Sequence, residues 1–380
     1  MQPLIELIRH EIVAHGVLPF SRFMELALYC PDYGFYEVKK DNPGRRGDFY
    51  TSVSVGELFG QLLAFQFSRW LETEIGGRES PARIIEAGAH DGTLARDILA
   101  WLQLGRPELF ERTQYCIVEP SARRRAWQEE KLETFAPHVH WFDNLQAVCR
   151  PTPVHPPSTP GLSGVIFGNE LLDAMPVRRF GWDAAVKQWF EWGVALEGEK
   201  FIWTRIQKAE VGSQRSESNL PTALRHLPSD LLAVLPEGYT LEMSPAAENW
   251  WREAASVLEH GRLLTMDYGF DAGEWLSPGR LRGTLRAYFR HHVTDDLLAN
   301  VGEQDLTAHV NFAEIQTAGE AAGLTTEIFS MQAHFLTRIL DQAVRDKSFG
   351  EWNASRTRQF QTLTHPEHLG RAFRVLVQSR

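Results

Sequence analysis

From residue 83 onward, short apolar runs of β character alternate with helix-patterned ones, and this alternation restricts the chain more than any other feature. Residues 84–85 are followed by a helical pattern over 94–104, and 115–118 by one over 123–135. Further apolar runs follow at 139–141, 164–167 and 263–266. Strands joined by helical crossovers predict an α/β fold: a mainly parallel sheet with helices on both faces. Ahead of it, Leu4, Ile5, Ile8, Ile12 and then Phe20, Phe23, Met24, Leu28 recur at helical intervals, and 58–74 reads as an amphipathic helix. A helical N-terminal extension is therefore expected. Two segments interrupt the pattern. Residues 151–160 hold five prolines and read as an extended surface connection. Residues 177–207 carry Trp182, Trp189, Trp192 and Trp203 at alternating positions with a turn at Glu197-Gly198, which predicts an antiparallel meander inserted after the fourth core strand. Half-buried strand packing is the expected use of those tryptophans.

The balance of 43% apolar and 23% charged residues is that of a folded chain, and 380 residues suffice to bury a sizeable core. Thirty-nine basic against forty-nine acidic residues leave a net charge of -10, which argues against nucleic acid and anionic lipid as partners. Cys30, Cys116 and Cys149 lie too far apart in sequence for a CxxC site or a disulfide framework. The longest apolar stretch, 58–71, is broken by Gly60, Gln61, Gln66, Ser68 and Arg69, so no membrane span is expected. Glu6, Glu11 and Glu25 in the first thirty residues do not fit a leader, and a cytoplasmic location is expected.

The strongest chemical signal is Arg83-Ile84-Ile85-Glu86-Ala87-Gly88-Ala89-His90-Asp91-Gly92-Thr93-Leu94. An apolar strand ends in an acid and passes through a glycine turn into a helix beginning near Thr93. Such a turn brings backbone close to a ligand and aims helix N–H groups at it; the plain alternative is a tight turn with no ligand. About thirty residues on, a second strand ends at Glu119, where an acid can take ribose hydroxyls. The dinucleotide fingerprint G-x-G-x-x-G is not met, since His90 holds the second glycine position and Gly92 comes one residue early. Glu86, Gly88 and Gly92 do match the acid-x-Gly-x-Gly-x-Gly turn of adenosylmethionine-binding proteins, with His90 in place of the middle glycine.

Further stretches occur in order: Gly47-Asp48-Phe49-Tyr50-Thr51-Ser52, Glu119-Pro120-Ser121, Gly168-Asn169-Glu170-Leu171-Leu172-Asp173-Ala174-Met175-Pro176, Asp267-Tyr268-Gly269, Gly283-Thr284-Leu285-Arg286 and Asp305-Leu306-Thr307-Ala308-His309-Val310-Asn311-Phe312. Together they resemble the MidA family of methyltransferases from about residue 3 to the C-terminus. The resemblance implies a Rossmann-like class I core with a seven-stranded sheet and S-adenosyl-L-methionine as cofactor. It implies cofactor contacts from Gly47, Phe49, Thr51 and Ser52 in an N-terminal flap and from Glu86, Gly88, His90, Gly92 and Glu119. Family members carry Gly-Pro-Gly where this chain has Gly88-Ala89-His90; a histidine tolerates a positive torsion better than a branched residue would. Mitochondrial members assist assembly of respiratory complex I by methylating a subunit arginine, so a protein substrate of that kind is implied. The expected organisation is 1–78 as helical extension and flap, 79–176 as the first part of the core, 177–240 as the β-rich insertion, and 241–380 as the rest of the core with a substrate-side insertion and C-terminal lid.

Methyl transfer depends chiefly on positioning. Carboxylates that hold a guanidinium orient it and localise its charge. Glu170 and Asp173, three residues apart at the start of an expected helix, would share one face, and Asn169 could position the target through its amide. These three are the expected catalytic residues; dipole compensation and capping are the structural alternatives. Asp267 or Tyr268 could project into the cleft or simply end a strand. His291-His292 lacks metal-ligand spacing, and no metal is expected. His309 is expected to be structural, bonded to backbone. Arg280, Arg282, Arg286 and Arg290 form a basic run, and exposed aromatic residues of the insertions could pair two copies into a homodimer. Two other functions fit the same residues: an assembly chaperone that keeps the fold without catalysis, and methylation of a small molecule.

Overall fold

The computed structural model describes residues 2–38, 51–75, 81–149, 162–206, 220–225, 227–290 and 292–380. Seven strands form the central sheet: β1 (Ala82–Ala87), β2 (Thr113–Val118), β3 (Val139–Phe142), β4 (Leu162–Asn169), β5 (Leu258–Phe270), β6 (Thr325–Met331) and β7 (Phe373–Ser379). Their order is β3-β2-β1-β4-β5-β7-β6, and a two-residue strand, Val310–Asn311, pairs with the end of β5. β1 to β5 run parallel, while β7 is antiparallel to both of its neighbours. The chain enters mid-sheet at β1, winds outward to β3 and returns to β4. The order therefore reverses between β1 and β4, and in open sheets ligands lie beyond the carboxyl ends of the strands at such a reversal.

The strands are apolar on both sides because both faces are covered. Ile84, Tyr115, Ile117, Val165, Phe167, Leu264, Met266, Val375 and Val377 point into one core with the helices Leu58–Ile75, Thr93–Gly105 and Gln332–Arg345. Ile85, Cys116, Leu162, Ile166, Leu263 and Leu376 point into the other, against the helices Pro245–Val257 and Phe312–Ala321. This is the two-residue period of a strand read directly from burial.

A third core joins segments distant in sequence. The helices Gln2–His15 and Phe20–Tyr29 bury Leu4, Ile8, Phe20, Phe23 and Leu28 against Val194 of the meander and against Ala287 and Leu306 of a three-stranded sheet, Arg286–Phe289, His292–Thr294 and Asp305–Thr307. The meander forms from Arg178–Asp183, Gln188–Glu197 and Lys200–Arg205, and Leu18–Pro19 and Thr240–Met243 extend it to five strands. Residues 2–38 thus belong to this cap, whereas Leu58–Ile75 packs with the main sheet. Trp182 and Trp189 are buried within the insertion's own small core. The proline-rich 151–160 lies outside the described residues. No helix among the described residues is long and apolar enough to cross a membrane.

Trp251, on Pro245–Val257, has no exposed surface, and its indole N–H donates to Gln378 Oε1 of β7 at 2.7 Å. Trp251→Ala removes a large buried side chain and takes the donor from Gln378 Oε1. Urea denaturation should show a loss of about 3–5 kcal/mol; a loss below about 1 kcal/mol would mean the helix is not anchored to the sheet through this residue.

Candidate active site

A cavity of about 1060 Å³ opens over the carboxyl ends of β1 to β4. Glu86 of β1 lies at its wall with 2% exposure, and its Oε2 accepts from the Tyr115 hydroxyl at 2.7 Å. The turn that follows places Gly88 at φ +76°, His90 at +46° and Gly92 at +83°. Glycine costs nothing in that left-handed region, whereas His90 is held there against its side-chain sterics. A Cβ on Gly88 would lie 2.9 Å from Leu171 Cδ1, so backbone itself forms that part of the wall. Asp91 pins the turn to the helix beginning at Thr93, accepting from Thr93 N at 3.0 Å and pairing with Lys131 Nζ at 3.0 Å. Beyond β2, Glu119 Oε1 accepts from Ser121 N at 2.9 Å and pairs with the Arg124 guanidinium at 2.9 Å. Beyond β3, Asp143, Asn144 and Leu145 continue the wall.

The opposite wall is the turn after β4. Asn169 and Glu170 line the cavity, and Glu170 Oε1 accepts from Ser52 N at 3.1 Å and from Asn169 Nδ2 at 3.2 Å. Asn169 Oδ1 is buried and has no hydrogen-bond partner among the described residues. The expected helix over Glu170 and Asp173 does not form. Glu170 takes φ +51°, and the Asp267 carboxylate captures Leu172 N at 2.8 Å and Asp173 N at 3.2 Å, which turns the chain before Pro176. Asp173 is consequently carried behind the wall, 7% exposed, rather than onto one face with Glu170. Asp267 does not project into the cleft; it is fully buried beneath this turn.

Of the residues singled out from sequence, Thr51, Glu86, Gly88, His90, Glu119, Asn169 and Glu170 line one cavity. Ser52 sits behind it, its hydroxyl 3.1 Å from Gln332 Oε1, and Gly92 caps the helix outside the lining. Gly47, Phe49 and His291 lie outside the described residues. His309 is not bonded to backbone through its ring as expected: Nδ1 is buried without a partner among the described residues, and the ring lies against Tyr268.

A model of an S-adenosyl-L-methionine-dependent methyltransferase family matches residues 62–330. The chain belongs to this family. Its structure is similar to that of a superfamily member from Burkholderia thailandensis solved bound to S-adenosyl-homocysteine, with a TM-score of 0.82 and 32% identity, covering 100% of this chain and 92% of that one. In sequence it is similar to the protein arginine methyltransferase NDUFAF7 homolog, mitochondrial, of Drosophila melanogaster, 27% identical over 84% of this chain and 70% of the relative. The Homo sapiens protein arginine methyltransferase NDUFAF7, mitochondrial, is 25% identical over 98% of this chain and 82% of its own length. Both animal relatives are named as mitochondrial, which corrects the cytoplasmic location expected from charge and from the first thirty residues; those features do not assign a compartment.

The walls of the methyltransferase's cavity suit its cofactor. An acid near the end of β1, another past β2 and a third past β3 suit an ammonium, a ribose and an adenine amino group along one line of strand ends. The left-handed turn offers backbone at close range, and the buried Asn169 Oδ1, without a partner among the described residues, calls for a donor. Several wall residues escaped the sequence reading. Asp143 repeats the strand-end acid of Glu86 and Glu119 and was within reach of that pattern. Arg124 of the wall and Gln128 behind it lie one helical turn apart and both contact Glu119, a spacing that points back to it. Tyr29 and Tyr36 carry no local signal, because only the folding back of the N-terminal helices brings them to the cavity.

Burial pushes Glu86 and Glu170 up to about 8 from an ordinary value of 4.5. Burial, and then the charges of Asp267 and Asp305, raise Asp173 as well. The folded protein without ligand therefore holds protons that the unfolded chain has released above pH 4.5. Stability from such a group is full below about 4.5 and is lost as pH rises through about 8. Glu86→Gln keeps an acceptor for Tyr115 and removes this titration. Denaturant unfolding at a series of pH values should show the variant gaining on the wild type from about pH 5 to about pH 8. A constant difference across that range would mean that Glu86 is already ionised at its lower end.

Proposed function

We propose that this methyltransferase acts on an arginine side chain of a protein, with Glu170 and Asn169 holding the guanidinium and Asp173 supporting it from behind. The observation that carries this reading is Glu170 itself. Its Oε1 is taken by Ser52 N and Asn169 Nδ2, Oε2 has no hydrogen-bond partner among the described residues, and the group lines a cavity backed by further buried acids. A guanidinium is the side-chain cation that offers planar paired donors to such an oxygen, and its entry would ionise Glu170. The names of the animal relatives point the same way. The acceptor class suggested by the family resemblance is a subunit of a respiratory complex.

On the cofactor side, Glu86 would face the ammonium, the 88–92 turn the amino-acid end, and Glu119 the ribose. Bound S-adenosylmethionine supplies a methyl group on a sulfonium, electrophilic without further activation. The chain's own contribution is to orient and to exclude water. Glu170 orients the guanidinium, draws its positive charge onto the nitrogen it contacts so that the nitrogen facing the methyl group gains nucleophilicity, and can take the proton released on methylation. Tyr29 and Tyr36 wall the chamber; the Tyr36 hydroxyl donates to Asp305 Oδ1 at 2.7 Å and the Tyr29 hydroxyl to the Ala174 carbonyl at 2.9 Å.

Glu170→Gln should lower methyl transfer into acceptor protein by about a hundredfold while the Kd for S-adenosyl-homocysteine stays within about threefold. Because Glu170 must lose a proton to receive the guanidinium, wild-type kcat/KM should climb with pH up to about 8. Unchanged transfer in the variant, with cofactor bound, would contradict the role given to Glu170.

A further inference from the structure

One residue of the Ala122–Leu132 helix joins three parts of the cofactor-side wall. Gln128 has no exposed surface. Its amide Nε2–H groups donate to the His90 carbonyl at 2.9 Å and to Glu119 Oε2 at 3.3 Å, and its Oε1 accepts from the Trp141 indole N–H of β3 at 2.9 Å. Two hydrogens meet two acceptors and the oxygen meets a donor, so the buried amide is fully engaged. The helix is also seated tightly on the turn: a Cβ on Gly92 would lie 3.2 Å from Leu132 Cδ1 and 3.4 Å from Gln128 Cα.

This arrangement answers the problem posed by His90. Gly88 and Gly92 occupy the left-handed region freely, but at φ +46° a histidine is disfavoured and would relax if released. The contact that fixes its carbonyl comes from Gln128 and not from the turn itself. We infer that Gln128 is a positioning residue for the cofactor: anchored by its bonds to Glu119 and Trp141, it clamps His90 in the left-handed conformation, so that a histidine is tolerated where a glycine would need no clamp. The inference rests on the reading that Glu119 and the 88–92 turn hold the cofactor.

The test is a calorimetric titration of the full chain with S-adenosyl-homocysteine, using wild type, Gln128→Leu, His90→Gly, the double variant and Glu119→Ala. Losing the clamp should raise Kd about tenfold in the wild-type background. In the His90→Gly background the turn keeps its conformation unaided, and the same loss should be about threefold or less. Equal losses in both backgrounds, or none in either, would overturn the inference. A merely structural role would lower the melting temperature alike in both backgrounds and leave no such dependence on residue 90. Should Gln128→Leu not fold, Gln128→Glu keeps the acceptor for Trp141 while setting a carboxylate against two oxygens, and should weaken binding at least as much; unaltered binding there would equally overturn the inference. Glu119→Ala with unchanged Kd would instead sink the reading of the site, independently of Gln128.

Discussion

Asp267 lies near the end of β5 with no exposed surface, and its carboxylate accepts from the backbone of Leu172, Asp173 and Tyr268. Together with the Met266 carbonyl, which accepts from Glu170 N at 2.9 Å, that group ties the tip of β5 to the turn after β4. Without the carboxylate the amides of Leu172 and Asp173 would lose their acceptor, and the place of Glu170 at the cavity wall would rest on the Glu170 N–Met266 O and Ser52 N–Glu170 Oε1 bonds. Placing a carboxylate in such a position is costly: burial, and then the neighbouring Glu170, raise its pKa. Backbone donors offset that cost in part, and they do so only while the turn keeps its shape. The geometry of the acceptor side and the protonation of its acids are therefore a single coupled property.

The two sides of the cavity are built differently. The cofactor side is stiff, with Asp91, Glu119, Arg124 and Gln128 cross-bonding strand ends, turn and helix. Beyond β4, Glu170, Asp173 and Asp267 are acids whose burial and mutual repulsion raise their pKa values, a cost that protonation or a cation would relieve. On the proposed function these are complementary demands of a transfer governed by orientation: cross-bonded support for the cofactor, and a chamber that would change charge as a guanidinium enters. The cap supplies Tyr29 and Tyr36 to this chamber, so the N-terminal helices take part in shaping the site as well as covering it.

How far this could be read from sequence depends on whether a feature is local. Strand–helix alternation, the meander and the turn from Glu86 to Thr93 are written in residues close together, and the sheet, the insertion and the left-handed turn follow that reading. The family resemblance brought Glu119, Asn169 and Glu170 to one cavity. The helix over Glu170 and Asp173 failed because a distant carboxylate, Asp267, outbids the local preference for the amides of Leu172 and Asp173. The cap was invisible for the same reason, since Leu18–Pro19 pairs with residues 193–194. His309, expected to be bonded to backbone, is instead neutral at pH 7, its pKa pushed down to about 4 by burial and then by Arg280 and Arg286.

The central claim is that the acid chamber receives a protein arginine, and the most direct measurement is the chemical identity of the methylated residue. Protein acceptors would be incubated with the enzyme and methyl-labelled S-adenosylmethionine, then hydrolysed completely and resolved as amino acids. Label is expected in methylated arginine, lowered about a hundredfold when Glu170 is replaced by Gln. Label recovered in methyl-lysine, in base-labile carboxyl esters or only in small molecules would contradict it.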